Sequence, residues 1–334
     1  MVDKNIQVIG LVTDRAKALI KLAKPEYLST FSMPDLFHFM QDYSKAVGSR
    51  LGAEVAKVKK KLQKIDCKSV DYEPLKEDLH HKVDRNNQYQ QARQQINKQI
   101  HPFNEFDQLV CCEKLEIDLR HLFTDIKSIA QKANISITTD QANKILNQIP
   151  DLAGGVQHWQ DYLNVEIEKL NLKQEHKTWL LETLLPYAYW QFNLSKISSK
   201  HRDKELKQYY KQRLEFSELK YKTLSKGFSI QESEKQELID WAVKIVSSFQ
   251  RASSRVEGRN GYLAFINHAN KGIPKQRKKI LTIIHNFDIR NANRSTPAER
   301  LFDRDFPNLF EFILNDLGKL PASRARTMKT LAKH

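Results

Sequence analysis

Two carboxylates stand out by their surroundings. Glu257 sits in SSRVEGRNGYLAF, Ser253 to Phe265, followed directly by Gly258 and, three residues on, by Gly261. The chain holds only 10 glycines in 334 residues, so two in one short stretch need a reason. On a helix, Glu257, Gly261, Ala264 and His268 share one face at spacings of four, three and four, and Tyr262, Phe265, Ile266 and Ala269 form the adjoining apolar stripe. A glycine inside a helix costs roughly 0.5–1 kcal/mol relative to alanine, so the pair points to close approach of that face to another backbone. Asp14 follows the apolar run IQVIGLV, Ile6 to Val12. Apolar side chains on both faces suit a buried parallel strand, and the carboxyl end of such a strand is where ligands and catalytic groups collect. Two such acids could share a divalent cation. Metal ions clamped by carboxylates activate water and stabilise the leaving 3′ oxygen in phosphodiester cleavage, and that chemistry needs a third carboxylate on an earlier strand. Each acid also has a plainer reading, Glu257 as a solvated side chain on a basic helix and Asp14 as a helix N-cap.

The cations fit a polyanionic partner. Lys and Arg total 55 against 40 Asp and Glu, a formal charge of +15. Arg255 and Arg259 flank Glu257, and Lys275, Arg277, Lys278 and Lys279 cluster downstream, with further lysines between positions 200 and 226. Such residues can contact DNA phosphates, positioning the duplex without reading its sequence, although the same pattern also suits a solvated face. Zinc is disfavoured: His80, His81, His101, Cys111 and Cys112 match no ligand spacing. There is no glycine-rich phosphate loop and no nucleophile turn. Three cysteines without a disulfide framework point to a reducing, cytoplasmic setting. No signal peptide opens the chain and no apolar run reaches a membrane span, so no membrane partner is expected.

The elements that must position these groups are mostly helices. Glycine and proline, 10 of each, fall well below their usual share of about 7 % and 5 %. After Asp14, Ala16, Leu19, Ile20 and Ala23 recur at helical spacing, with Thr13 and Asp14 available to cap. Pro34 suits the first turn of a long amphipathic helix whose apolar face is Leu36, Met40, Tyr43, Val47, Leu51, Val55, Val58 and Leu62. The glutamine-rich stretch Asn86 to Ile100 is expected to form an arm of a helical hairpin. IPDLAGG, Ile149 to Gly155, reads as a loop. Trp159, Trp179, Tyr187, Tyr189 and Trp190 read as core rather than as base-stacking platforms. The organisation expected is a strand–helix part over 1–40, an all-helical block over 41–245 and a segment over 246–334 that bears Glu257 and the basic residues.

The run SSRVEGRNGYLAFINH, then KKILTIIHNFDIR, then STPAERLF resembles the C-terminal part of DDE-class insertion-sequence transposases. The resemblance is to a bacterial group common in cyanobacteria, with a SS-x-VEGRNG-x-L motif ahead of HNFD and TPAxRLF elements. VTDRAKALIKLA with PDLFHFM after it is similar to that group's second-aspartate region. The C-terminal likeness is dense, the N-terminal one short, and the helical middle agrees in character only.

The resemblance implies a mainly α fold with a small α/β part: a partial RNase H-like core interrupted by a large helical insertion. It makes Asp14 the second acid of the triad and Glu257 the third, both as ligands of Mg2+ or Mn2+ once the triad is complete. It implies DNA transposition by metal-dependent strand cleavage and transfer, with transposon ends and target DNA as partners and association with the nucleoid. A second copy of the chain or a full-length transposase would be a further partner. The family's first aspartate lies on an earlier strand, whereas only 13 residues precede Asp14 here, and Asp3 shares that same short segment. The expectation is therefore a truncated, split or decayed transposase, inactive alone. The alternative is a non-catalytic, basic helical DNA-binding or regulatory protein derived from one.

Overall fold

The computed structural model describes residues 8–28, 30–197, 204–227, 231–252, 254–269, 272–290 and 294–317; for residues 227, 232, 254–260, 262 and 317 it describes the backbone alone. The chain is mainly helical, with a small α/β part at its start. Its contacts divide it into two units, Met1–Ser253 and Ser254–His334.

The α/β part is a parallel pair of strands, β1 (Gly10–Thr13) and β2 (Phe31–Pro34), in register from Gly10↔Phe31 to Thr13↔Pro34. The expected strand over Ile6 to Val12 thus lies later, and residues 6 and 7 fall outside the described ones. Nor is it buried on both faces: Thr13 is buried, while Leu11 and Val12 are partly so. Between the strands lies the short helix α1 (Lys17–Leu22), which buries none of its residues. Pro34 ends β2 instead of opening a helix. The missing proline N–H is tolerated at the end of so short a strand, and Asp35 becomes the N-cap of α2 (Leu36–Tyr43), its carboxylate accepting from the Phe37 and His38 amides at 2.7 and 3.2 Å.

The long amphipathic helix expected from Leu36 is present, as α2, a π-helical turn (Ser44–Gly48) and α3 (Ser49–Leu62). Leu36, Met40, Tyr43, Val47, Leu51 and Val58 are buried. Two successive steps of four, Tyr43 to Val47 to Leu51, would drift off an ideal 3.6-residue stripe, and the wider π turn absorbs that drift. The glutamine-rich stretch belongs to α4 (Tyr72–Gln99), which packs back on α3 as a hairpin and buries only Tyr89, Ala92 and Ile96.

The rest of the first unit is α5 (Cys112–Lys132), α6 (Thr139–Leu146), α7 (Ile149–Lys169), α8 (Gln174–Trp179), a π turn (Leu180–Leu184), α9 (Leu185–Lys196), α10 (Lys204–Leu224) and α11 (Glu232–Ser248). The expected loop at IPDLAGG is instead the start of α7. Pro150 occupies its first turn, where a missing N–H costs nothing. Gly154 and Gly155 let α7 lie on β2: a Cβ added at Gly155 would come within 2.6 Å of Met33, and one at Gly154 within 2.9 Å of the Phe31 ring. Trp159, Trp179, Tyr189 and Trp190 are core, as expected, and Tyr187 is partly exposed.

The second unit contains α12 (Ser254–Ala269), α13 (Lys275–Phe287), α14 (Pro297–Phe302) and α15 (Leu309–Leu317). Thr296 and Glu299 form a reciprocal capping box at α14. Among the described residues of this unit, Ala298 and Thr296 are buried, whereas Phe265, Ile280, Leu301, Phe310 and Phe312 are exposed.

Candidate functional site

The carboxyl edge of the two strands carries Asp14. The Asp35 amide donates to the Thr13 carbonyl at 2.7 Å, so the chain leaves β1 and β2 side by side, with Asp14 and Asp35 as the first residues beyond each strand. Their fates differ. Asp35 is 1 % exposed and committed to capping α2, with the His38 ring Nδ1 3.6 Å from its Oδ1. Asp14 is exposed and, among the described residues, accepts one bond, from the Ala16 amide to Oδ1 at 3.0 Å. It is therefore not the N-cap of α1, which Ala16 occupies. Arg15 between them is left-handed (φ 66°), which breaks the expected helix start. That conformation brings its guanidinium to Asp151 of α7 at 2.5 Å and to the Ser32 carbonyl at 3.2 Å.

Glu257 lies in the first turns of α12, and its side chain, with those of Arg255 and Arg259, is outside the described ones. At Gly261 an added Cβ would meet no atom of the described residues within 4 Å. Among the described residues no group of three His, Cys, Asp or Glu side chains converges as a metal site. The described carboxylates therefore do not fit a divalent ion by themselves. His101 is fully buried and hydrogen-bonded to protein groups, and burial pushes the Cys112 thiol up to about 11, keeping it protonated.

Lys275, Arg277, Lys278 and Lys279 occupy the first five residues of α13, and all four are exposed. No acid lies in that first turn. Cations at a helix N-terminus oppose the macrodipole, at about 0.3–1 kcal/mol each at low ionic strength. Such an end, with free amides and four cations, is suited to a phosphate.

Sequence reasoning passed over a buried polar network in the first unit. Asp107 (φ 59°, 1 % exposed) accepts from Trp190 Nε1 at 3.1 Å, Arg213 Nη2 at 2.9 Å and the Ser217 hydroxyl at 2.7 Å. Beside it, Arg251 donates to His101 Nε2 at 3.1 Å, which makes Nε2 the acceptor and leaves the Nδ1 proton to reach the Tyr189 oxygen at 2.7 Å. Burial, then the Arg251 and Arg213 charges, hold the His101 ring well below its ordinary pKa. Tyr210, Arg213 and Ser217 step by three and four along α10, a spacing that was legible but hidden among lysines.

These features define a mainly helical protein with a small strand–helix part bearing an exposed acid, Asp14, at the end of its first strand. Residues 180–329 match a protein-family model described as a family of unknown function (DUF6399), a span that includes Arg251, Glu257 and the α13 cations but not Asp14. No curated protein and no solved structure matches the chain. No helix among the described residues is long and apolar enough to cross a membrane.

Proposed function

We propose that this chain carries the second and third acids, Asp14 and Glu257, of a DDE-type transposase with an RNase H-like core, and that it binds transposon-end and target DNA through the basic face of α13. The observation that carries the reading is the α13 cluster, four exposed cations where the helix dipole disfavours them. Asp14 supports it by standing exposed at the carboxyl end of a parallel strand. Mg2+ or Mn2+ enters only where a further carboxylate joins the two acids, and a second copy or a full-length transposase is the partner that could bring one.

The test is duplex binding by fluorescence anisotropy across a salt series. Each phosphate contact contributes about 0.9 to the slope of log affinity against log salt, so changing Lys275, Arg277, Lys278 and Lys279 to glutamine should lower that slope by up to about 3.6. No duplex binding at low salt overturns the reading. A second reading, a non-catalytic DNA-binding regulator, is favoured by the lack of a converged acid cluster among the described residues. Mg2+-dependent strand cleavage that disappears in Asp14→Asn and Glu257→Gln would remove it.

A further inference from the structure

The outer half of the α3–α4 hairpin carries a run of cations that the fold leaves unmatched. Residues 55–65, VAKVKKKLQKI, hold five lysines and no acid. Lys57, Lys59, Lys60, Lys61 and Lys64 are all exposed. At about 100° per residue, Lys57, Lys60, Lys61 and Lys64 fall within an arc of about 100°, while Leu51 and Val58, the buried residues of α3, lie on the other side. Lys64 follows the end of α3, but its amide donates to the Lys61 carbonyl at 3.0 Å and keeps the helical path. The four lysines thus form a ridge about 10 Å long.

Carboxylates are at hand in the same hairpin, yet they are committed to other lysines. Lys82 pairs with Asp78 at 2.9 Å and with Glu54 at 3.5 Å, and Lys76 pairs with Glu73 at 3.3 Å. Among the described residues no acid pairs with a lysine of the ridge. The α3 dipole favours cations in the last turn, which accounts for Lys60 and Lys61. It does not account for Lys57 above that turn, and like charges three and four residues apart weaken a helix. What matches the ridge is a regular row of anions. A duplex presents one phosphate per about 3.4 Å of axis on each strand, so about three lie along a ridge of this length. A membrane surface would also need a large apolar flank, and the exposed residues that border the ridge, Ala53, Ala56 and Gln63, are small or polar.

We propose that this ridge is a second surface for the backbone of duplex DNA, contacted by Lys57, Lys60, Lys61 and Lys64. It rests on the DNA-binding reading for its ligand, but not on α13, Asp14 or Glu257. Contacts of this kind hold a duplex without reading its sequence.

The test is anisotropy of a random-sequence duplex with the full chain across a salt series. Glutamine is about as good a helix former as lysine, so changing the four ridge lysines to glutamine leaves α3 intact. That variant should lower the slope of log affinity against log salt by up to about 3.6. Between about 50 and 200 mM salt, wild type should then lose up to about 150-fold more affinity than the variant. A control variant with Lys114, Lys127, Lys132 and Lys173, exposed lysines of the same unit, changed to glutamine removes the same charge. Its slope should stay within about 0.9, one phosphate contact, of wild type. A ridge variant that stays as close to wild type overturns the proposal, as does a control variant that falls as far as the ridge variant. So does wild type that binds poly-glutamate through the ridge and no duplex. Making the ridge substitutions in the α13 glutamine background as well separates the two surfaces. A slope that falls with α13 but not with the ridge removes the ridge alone, and the reverse removes only the part assigned to α13.

Discussion

Replacing Gly155 and Gly52 separately by alanine tests how α7 is fitted to the strand pair. Both glycines lie inside helices, so the gain of roughly 0.5–1 kcal/mol expected from alanine's helix propensity is common to both and cancels in the comparison. What remains is space. At Gly52 an added Cβ meets nothing within 4 Å, whereas at Gly155 it comes within 2.6 Å of Met33 Cγ and Sδ and 2.8 Å of Met33 Cβ. The last contact lies too near the backbone for a change of rotamer to relieve it. Met33 is also 5 % exposed and hemmed in by the core. Overpacking of this kind costs typically about 1–3 kcal/mol. Gly155→Ala should therefore be less stable than Gly52→Ala by that amount, which for a unit of this size is about 2–12 °C in Tm. Differential scanning calorimetry of both variants and wild type gives the answer, with Gly52→Ala expected at or above wild type. A Gly155→Ala variant within about 0.5 kcal/mol of Gly52→Ala would refute the close approach of α7 to β2 and the placement of the strand edge that follows from it.

Two further outcomes concern the buried network. Asp107→Ala should lower the first unit's Tm by about 6–20 °C, because removing one partner of a buried ion pair costs about 3–5 kcal/mol. Asp107→Asn should also be destabilised, because its carbonyl oxygen can take the Trp190 and Arg213 bonds but no negative charge then offsets the buried Arg213, and an asparagine variant melting within about 2 °C of wild type would contradict the network by calorimetry. For His101 the folded ring is held neutral while the unfolded one titrates near 6.5, so folding stability is full above about pH 6.5 and falls below it by at most about 1.4 kcal/mol per pH unit. Urea titrations between pH 7 and 5 should show a shallower fall in His101→Gln than in wild type, and equal slopes would mean that the ring is already free to protonate.

The helices were legible because apolar residues recur at helical spacing, as in Leu36, Met40, Tyr43, Val47 and Leu51. The misplacements share a physical origin. Pro150, Gly154 and Gly155 read locally as punctuation, yet a proline in the first turn and glycines against a neighbouring strand are compatible with a helix, and only the tertiary contact with Phe31 and Met33 reveals which applies. The strand FSMP was hidden because four residues ending in proline carry too little periodicity to separate from the helix behind them. Asp14 at a strand end could be read from the apolar run before it. The left-handed Arg15 and its pair with Asp151 could not, since they depend on where α7 falls. Arg251 was equally invisible, an arginine in a short connection whose partners come from α2, α4 and α10.

Accounting for the polar groups of the first unit narrows the choice of functional residues. Burial is costly for a polar group unless it is matched, so a protein commits such groups to internal partners wherever the fold needs them. Asp35 is committed to α2, Asp107 to Arg213, Trp190 and Ser217, Arg15 to Asp151, and Arg251 to α4 and His101. Asp14 stands apart at the same strand edge: it is exposed and, among the described residues, accepts from the Ala16 amide alone. The α13 cations stand apart in the opposite sense, since their position weakens the helix that bears them. A carboxylate exposed at a strand end gains little for folding beyond its bond to Ala16, and cations held against the local field gain nothing. In the transposase reading proposed above, a cation would meet the first, once a further carboxylate joins it, and a phosphate backbone the second.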